Sequence, residues 1–391
     1  MHSTYNAQTG NAQPGAPFVI EAARLFDGGQ ITGPRAVEIA EGRIQAVHAA
    51  GGAPTRYPVV RLPVGTLLAP GFIDVQVNGG GGALLNDDPS VAAIARIAAA
   101  HRRFGTTGLL PTLITDDRAQ LSRLAACMDE ALNVPGVLGF HLEGPFINPA
   151  RKGIHPAQHI RRPAPEDMAL MCAFGRAGRS FITVAPEMLD AADIPRLVAA
   201  GLRVAIGHSD ATAKVALSAI DAGATAVTHL FNAMSQMSPR APGVVGASLA
   251  NARTYAGIIC DGHHVDPVNL SVALKSKGRD RMMLITDAMS LIGTDETEFA
   301  LQGRAIRLNG GRLTDTAGTL AGAHLTMIDA VKNAVGMMGA TLEDALIMAS
   351  LTPARFLGLH DELGRIAPGF RADLVAMDEQ FRLQQTWIGG E

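Results

Sequence analysis

Residues 203–229 read RVAIGHSDATAKVALSAIDAGATAVTH, and this stretch contains the repeat that decides the fold. A short apolar run ends in His208, a segment with helical spacing follows over Ala211–Ala222, and a second apolar run ends in His229. Short apolar runs that alternate with helices are typical of buried parallel strands. The stretch therefore predicts a strand, a helix and a second strand parallel to the first.

The same unit recurs through the middle of the chain, where eight apolar runs each end in or near a polar or ionisable residue. The runs are Gly71–Asn78, Thr106–Ile114, Val137–Glu143, Phe181–Glu187, Arg203–His208, Ala224–His229, Tyr255–Asp261 and Met282–Asp287. They recur about every 30 residues, the size of one strand–helix–strand unit, and Pro89–Phe104, Asp117–Leu132 and Ile194–Ala200 have helical spacing between them. Eight such units predict a closed (β/α)8 barrel of the TIM type. The alternative is an open doubly wound sheet, which the lack of a GxGxxG motif after the first run disfavours.

Short strands separated by glycine-containing turns are predicted at both ends of the chain. They are Phe18–Leu25, Ala36–Ala40, Arg43–His48 and Val59–Leu62 near the start, and parts of Gly364–Asp378 and Phe381–Ile388 near the end. Both ends are therefore expected to build one small β-sandwich domain. The predicted divisions are residues 1–66, with a loose polar tail over 1–17, the catalytic barrel over 67–358, and the rest of the sandwich over 359–391.

Composition narrows the class of protein. Hydrophobic residues make up 47% of the chain, enough for a sizeable core. The net charge of −3, without a basic patch, argues against nucleic acid as a partner. Neither a signal-like start nor an 18-residue apolar run is visible, so we expect no membrane association. The three cysteines are scattered and form no CxxC motif, which is typical of a reducing cytoplasm.

Three strand ends carry residues that could bind a metal ion. In a barrel of this type, catalytic groups lie at the carboxyl ends of the strands. One carboxylate and two imidazoles, from Glu143, His208 and His229, suit zinc, iron or manganese and leave a position open for water. Asp287 ends a fourth run.

Each of these residues also has an ordinary structural interpretation. His208 could cap the next helix, His229 could be a buried core histidine, and Asp287 could be a helix N-cap. His141 shares a face with Glu143 and could fill a core layer below it. For the metal site to be absent, an ordinary structural role would have to hold at all four strand ends at once, which is less expected than any one of these alternatives.

The residues at the strand ends lie in segments that resemble a known family. Pro70-Gly71-Phe72-Ile73-Asp74 resembles the first-strand signature of the amidohydrolase superfamily, and Gly364–Leu374 resembles its return into a β-sandwich. More narrowly, the chain resembles the N-acetylglucosamine-6-phosphate deacetylase family in eight segments that run in order along the chain. They are DVQVNG (74–79), PTLIT (111–115), HLEGPF (141–146), APEM (185–188), GHSDAT (207–212), THLFNAM (228–234), DGHHVD (261–266) and TDA (286–288).

The resemblance implies metal-dependent hydrolysis of N-acetylglucosamine 6-phosphate to glucosamine 6-phosphate and acetate, in amino-sugar catabolism or cell-wall recycling. It assigns metal coordination to Glu143, His208 and His229, proton transfer to Asp287, and polarisation of the acetyl carbonyl to His155. Substrate contacts are expected from Ile154, Asn232, Ala233, His264, Leu320, Ala321 and Gly322, and phosphate binding from Arg240. The implied assembly is a homodimer in which Arg240 reaches the neighbouring site.

One departure bears on the number of metal ions. Many amidohydrolases carry His-x-His at the end of the first strand and hold a second metal there, whereas this chain has Gln76-Val77-Asn78. Gly80 stands where some relatives carry a cysteine ligand. Amides are poor ligands for zinc beside imidazole and carboxylate. We therefore expect one divalent ion per chain, with zinc preferred over iron, manganese or cobalt. If a second ion binds, we expect it to contact Gln76.

Three other functions remain as alternatives. A deacetylase for another amino-sugar phosphate, such as N-acetylgalactosamine 6-phosphate, would share every motif. A cyclic-amide hydrolase of the same superfamily usually carries a bridging lysine at a strand end, and none of the eight runs ends in lysine. A non-catalytic scaffold should lack some ligands, whereas this sequence keeps all of them.

Overall fold

The computed structural model describes residues 16–391, so most of the tail predicted over residues 1–17 lies outside the described residues. The strands, in chain order, are β1 (Phe18–Ala22), β2 (Arg24–Phe26), β3 (Ile31–Thr32), β4 (Arg35–Ala40), β5 (Arg43–Ala49), β6 (Val59–Arg61), β7 (Leu67–Pro70), β8 (Phe72–Val77), β9 (Gly79–Gly80), β10 (Ala83–Leu84), β11 (Thr106–Ile114), β12 (His141–Glu143), β13 (Phe181–Val184), β14 (Arg203–Ile206), β15 (Ala226–Val227), β16 (Tyr255–Ile259), β17 (Met282–Ile285), β18 (Glu298–Leu301), β19 (Arg304–Asn309), β20 (Arg312–Thr314), β21 (Leu320–Ala323), β22 (Leu374–Met377) and β23 (Leu383–Trp387). The α-helices are α1 (Val91–Arg102), α2 (Arg118–Ala131), α3 (Pro165–Ala173), α4 (Asp193–Ala199), α5 (Ala213–Asp221), α6 (Gly243–Ala250), α7 (Pro267–Lys277), α8 (Met327–Asn333), α9 (Leu342–Ala349) and α10 (Leu351–Leu357).

Eight parallel strands form the central sheet, in the order β17-β16-β15-β14-β13-β12-β11-β8. A helix follows each strand, from α1 after β8 to α8 after β17. The first and last strands meet through backbone hydrogen bonds, such as that from the N–H of Asp287 to the carbonyl of Gln76 at 3.0 Å. The predicted (β/α)8 barrel is confirmed, and the open-sheet alternative is wrong.

Local sequence explains where several of these helices begin. A side-chain oxygen accepts a hydrogen bond from a backbone N–H of the first turn at Ser90, Asp117, Thr212 and Asp266. Such N-caps satisfy donors that would otherwise lack a partner. These four helices therefore have defined starts, whereas the segments that join strands to helices differ in length, from residues 115–117 between β11 and α2 to the inserted strands between β17 and α8.

Strands from both termini form the predicted sandwich. One sheet has the order β5-β4-β1-β6, and the other has the order β23-β22-β7-β2-β3. Buried side chains from both ends of the chain, among them Ile20, Val37, Leu374 and Trp387, make one core between them. Strand β7 pairs with β2 and β22 and so lies in this sandwich. The exact domain boundaries stay a prediction.

An antiparallel sheet of four strands, β18-β19-β20-β21, interrupts the barrel between β17 and α8. It has its own small core, which includes Leu301, Ile306 and Leu313. Its last strand bonds to the chain next to Asp287, since the N–H of Ala323 donates to the Asp287 carbonyl at 2.8 Å. This inserted sheet is absent from the fold predicted above, and it lies beside the carboxyl ends of the barrel strands.

Within residues 16–391, none of the helices combines the length and apolar character needed to cross a membrane.

Candidate active site

The carboxyl ends of four barrel strands bring the predicted site residues together. Glu143 is the last residue of β12, and His208, His229 and Asp287 each lie two residues beyond the end of β14, β15 and β17. All four side chains are buried. Because parallel strands end at the same face of a barrel, residues far apart in sequence become neighbours there.

Three of these side chains form a compact donor group. The Oε1 atom of Glu143 lies 3.2 Å from Nε2 of His208 and 2.9 Å from Nε2 of His229. The two imidazole nitrogens lie 3.0 Å from each other. Ligands bonded at 2.0–2.1 Å to one tetrahedral zinc ion would be separated by roughly 3.3 Å. The group therefore fits a single divalent ion.

The hydrogen bonding of His208 supports the same conclusion. Its Nδ1 lies 2.8 Å from the carbonyl oxygen of Arg151, so the ring hydrogen is on Nδ1 and a lone pair is on Nε2. Burial alone would raise the pKa of the Glu143 carboxyl, but the imidazoles of His208 and His229 next to it hold that pKa well below its usual range. The centre therefore combines a carboxylate with inward-facing imidazole nitrogens, as a cation site requires.

Asp287 is held by two amide side chains. Its Oδ1 atom accepts hydrogen bonds from Nε2 of Gln76 at 3.0 Å and from Nδ2 of Asn78 at 2.7 Å. Burial, with the nearby Glu143 carboxylate, raises the pKa of Asp287 to about 6. A carboxyl group with this pKa can exchange a proton near neutral pH.

Gln76 connects the two acidic residues of the site. Its Nε2 donates to Oε1 of Glu143 at 3.2 Å as well as to Asp287. An uncharged amide therefore lies between two carboxylates, at the position where a second metal ion would be expected to bind.

Left-handed backbone conformations are concentrated at these strand ends. The φ angles are +48° at His208, +31° at His229 and +52° at Asp287, with +79° at Phe231 and +50° at Ala233. For residues other than glycine, such conformations cost on the order of 1–3 kcal/mol each and occur most often at functional sites.

A cavity of about 470 Å³ opens beside the donor group. Most of the predicted substrate-contacting residues lie on its wall, namely Ile154, His155, Asn232, Ala233, His264, Leu320 and Gly322. Ala321 is different: alternate residues of a strand face opposite sides, and its side chain is buried in the core of the inserted sheet. The side chain of Ala321 therefore does not line the cavity, and a substrate contact through its backbone stays a prediction. Arg240 lies on an exposed loop outside this cavity.

Two histidines on the cavity wall have defined partners. Nδ1 of His155 lies 2.8 Å from the Thr115 hydroxyl, and its Nε2 lies 3.8 Å from Oε2 of Glu143. Burial lowers the pKa of His155 well below its usual value, so its ring is neutral. Nδ1 of His264 lies 2.7 Å from Oδ2 of Asp261, which orients the ring.

His141 lies below the site and does not join the donor group. Its ring stacks on Phe181 with centroids 4.0 Å apart, and its nitrogens lie 3.2 Å from the Thr112 hydroxyl and 2.7 Å from the Thr183 hydroxyl. Burial lowers its pKa to about 3. His141 therefore fills a layer of the barrel core below Glu143, the ordinary structural role that its sequence position also allowed.

Arg151, which was not among the predicted site residues, contributes to the site in two ways. Its carbonyl orients His208, and its side chain lines the cavity while pairing with Asp210 at 2.8 Å. Its position between two assigned residues, Glu143 and His155, was the signal available in the sequence.

The chain is similar in sequence to a known protein family and to named deacetylases, and similar in structure to one that has been solved. Residues 67–391 match the model of the amidohydrolase family. An N-acetylgalactosamine-6-phosphate deacetylase from Shewanella sp. (strain ANA-3) is 41% identical over 97% of both chains. An N-acetylglucosamine-6-phosphate deacetylase from Haemophilus influenzae is 37% identical over 84% of this chain and 86% of its own. The crystal structure of N-acetylglucosamine-6-phosphate deacetylase from Pasteurella multocida superposes with a TM-score of 0.93, at 36% identity, over 96% of this chain and 99% of its own.

Proposed function

The chain belongs to the amidohydrolase family, and we propose that it hydrolyses the N-acetyl group of N-acetylglucosamine 6-phosphate to give glucosamine 6-phosphate and acetate. The observation that carries this proposal is the convergence of Glu143, His208 and His229 on one point beside a cavity, with Asp287 held nearby. The names of the similar deacetylases supply the substrate class. The unpaired cysteines support a cytoplasmic location.

Glu143, His208 and His229 would hold one divalent ion, with zinc expected before iron, manganese or cobalt. Such an ion supplies Lewis acidity, which polarises a carbonyl oxygen and acidifies water toward pH 7. The orientation of His208 by the Arg151 carbonyl makes its lone pair available without rearrangement.

Asp287 would move the proton that the reaction requires. Amide hydrolysis needs a base to remove a proton from the attacking water and an acid to protonate the departing amine. A carboxyl group with a pKa of about 6 can do both in turn. Gln76 and Asn78 fix one of its oxygens, which leaves the other free to exchange the proton.

His155 would donate a hydrogen bond to the acetyl oxygen as negative charge develops there. This role requires the ring hydrogen on Nε2, with Nδ1 accepting the hydrogen of the Thr115 hydroxyl 2.8 Å away, a shorter contact than the 3.3 Å from that hydroxyl to the Glu143 carbonyl. Because the ring is neutral and buried, it adds a directed dipole rather than a full charge.

The phosphate would lie against His264, Asn232 and Ala233, with Arg240 as its cation. A guanidinium group binds phosphate through two parallel hydrogen bonds. Because Arg240 lies outside the cavity of its own chain, we propose that it serves the site of a second copy in a homodimer.

A second candidate substrate is N-acetylgalactosamine 6-phosphate, which differs only in the configuration at C4. The specific observation in its favour is the name of the Shewanella relative, which matches nearly the whole chain.

The deciding experiment measures acetate release from both epimers and from unphosphorylated N-acetylglucosamine. We expect the gluco phosphate to have the highest kcat/KM and the unphosphorylated sugar to have a much higher KM. A preference for the galacto phosphate would replace the main proposal with the second candidate. Equal rates with and without phosphate would contradict the role given to Arg240, and no acetate release from any of the three would contradict the proposal as a whole.

A further inference from the structure

Glu187 lies just beyond the end of β13, between the strands that carry Glu143 and His208. Its carboxylate accepts three hydrogen bonds: from the backbone N–H of Asp210 at 2.7 Å, from the Ser209 hydroxyl at 2.8 Å and from Nδ2 of Asn148 at 2.9 Å. Two of these donors follow His208 directly, and the third belongs to the loop after β12. One half-buried carboxylate therefore joins two loops of the site.

The first contact set fixes the backbone at His208. This residue has a left-handed conformation, with φ of +48°, which costs on the order of 1–2 kcal/mol outside glycine. Hydrogen bonds from Ser209 and Asp210 to Glu187 hold the chain immediately after it. The direction in which the imidazole leaves the backbone is thus tied to Glu187.

The second contact set fixes the ring of His208. The side chain of Asn148, whose Nδ2 donates to Glu187, also accepts a hydrogen bond through Oδ1 from the backbone N–H of Ala150 at 2.9 Å. The backbone N–H of Asn148 donates to the His208 carbonyl at 2.9 Å. This arrangement starts the helical turn Pro149–Arg151. The carbonyl of Arg151 at the end of that turn accepts the Nδ1 hydrogen of His208.

We propose that Glu187 is a positioning residue for the metal centre, which holds His208 in the orientation that binds the ion. The inference rests on the proposed function, since it takes His208 as a metal ligand. Partners that orient metal ligands typically change metal affinity by 10–100-fold when they are removed. Both routes from Glu187 converge on the same histidine, so the loss should appear as weaker metal binding.

The test compares Zn²⁺ affinity, measured by competition with a chelator, in the full-length wild type, Glu187→Ala and Glu187→Gln. Ser180→Ala is the matched control: Ser180 precedes the other end of β13, accepts from the N–H of Phe140 at 2.9 Å and donates to the Ala177 carbonyl at 2.6 Å. We expect Glu187→Ala to bind Zn²⁺ about 10–100-fold more weakly. Ser180→Ala should lower the Tm of the metal-free protein and leave Zn²⁺ affinity within about twofold, since its lost hydrogen bonds lie before the start of β12 and β13, at the opposite end of the strands from the proposed ligands.

Glu187→Gln keeps one acceptor oxygen for Asp210 and Asn148, so we expect a smaller loss, about three- to tenfold. The visible spectrum of bound Co²⁺ should change in Glu187→Ala and not in Ser180→Ala. Wild-type Zn²⁺ affinity in Glu187→Ala would overturn the inference while leaving the proposed function intact. If that variant does not fold, wild-type affinity in Glu187→Gln would overturn it. Absence of Zn²⁺ binding by the wild type would instead refute the proposed function, and this inference with it.

Discussion

Replacing Asp287 by asparagine should make the metal-free protein more stable while abolishing most of its activity. The asparagine side-chain oxygen can still accept the hydrogen bonds from Gln76 and Asn78, so the shape of the site is preserved. Its NH₂ group then takes the place of the free carboxylate oxygen and cannot accept a proton. We expect kcat for acetate release to fall by about 10²–10⁴-fold, the usual contribution of a general acid–base residue.

The gain in stability follows from the raised pKa of the carboxyl group. Burial and the Glu143 carboxylate raise the pKa of Asp287 from 3.8 to about 6, so folding favours its protonated form. The favourable contribution is therefore complete below pH 3.8 and is lost as the pH rises through 6. At 1.36 kcal/mol per pKa unit, the ionised group costs about 3 kcal/mol above pH 7 and about half of that at pH 5.

Calorimetry of the metal-free proteins measures this cost. With an unfolding entropy of about 2.1 cal/mol/K per residue, a chain of 391 residues should gain about 3–4 °C in Tm at pH 7.5 and about half of that at pH 5. Asp129→Asn, which removes an exposed carboxylate on α2, is the control and should leave Tm nearly unchanged. An equal or lower Tm for Asp287→Asn at pH 7.5, or a gap that does not narrow at pH 5, would refute the reasoning.

Three further predictions concern stability and metal loading. Asp167→Asn should cost about 2–3 kcal/mol, because the buried carboxylate accepts hydrogen bonds from Arg118 and Arg161. Desolvation alone would raise the pKa of Asp167, but these hydrogen bonds lower it. Their contribution to the free energy of unfolding is therefore present above pH 3.8 and lost in acid, so the difference in Tm between wild type and variant should narrow at low pH. A difference that widens at low pH would contradict this prediction. Phe181→Ala should lower the free energy of unfolding, measured by chemical denaturation, by about 3–5 kcal/mol, because the ring packs against Phe356 with centroids 5.4 Å apart. A loss below about 1 kcal/mol would be inconsistent with that packing. Removing metal from the wild type should lower Tm, and restoring Zn²⁺ to 100 times its Kd should recover about 2.7 kcal/mol; a Tm that does not respond to Zn²⁺ would argue against the ion site.

The fold and the convergence of the candidate metal ligands could be predicted because both follow from local pattern. An apolar run of four to eight residues that ends in a polar side chain specifies a buried strand and its functional end. Parallel pairing then brings the strand ends together without further information. The grouping of Glu143, His208, His229 and Asp287 therefore follows from sequence alone.

The inserted sheet was missed although its sequence carries a signal. Residues 304–314, RAIRLNGGRLT, alternate apolar and polar side chains around Asn309-Gly310-Gly311, which is typical of a hairpin. Leu320, Ala321 and Gly322 were expected to form a turn, whereas they lie in β21, where the side chain of Ala321 faces the core of the inserted sheet.

The contacts that orient the ligands could not be predicted from sequence. The hydrogen bond between His208 and the Arg151 carbonyl joins residues 57 positions apart, and Glu187 reaches Asn148 across two loops. Such contacts depend on how the loops fold back over the barrel, and loop conformation leaves little periodic signal.

Titration of the metal-free wild type with Zn²⁺, with acetate release from N-acetylglucosamine 6-phosphate measured at each step, tests the central claim most directly. The arrangement of Glu143, His208 and His229 around one point predicts activity that rises linearly and reaches a plateau at one ion per chain. Activity that requires two ions per chain, or full activity in the metal-free protein, would contradict it.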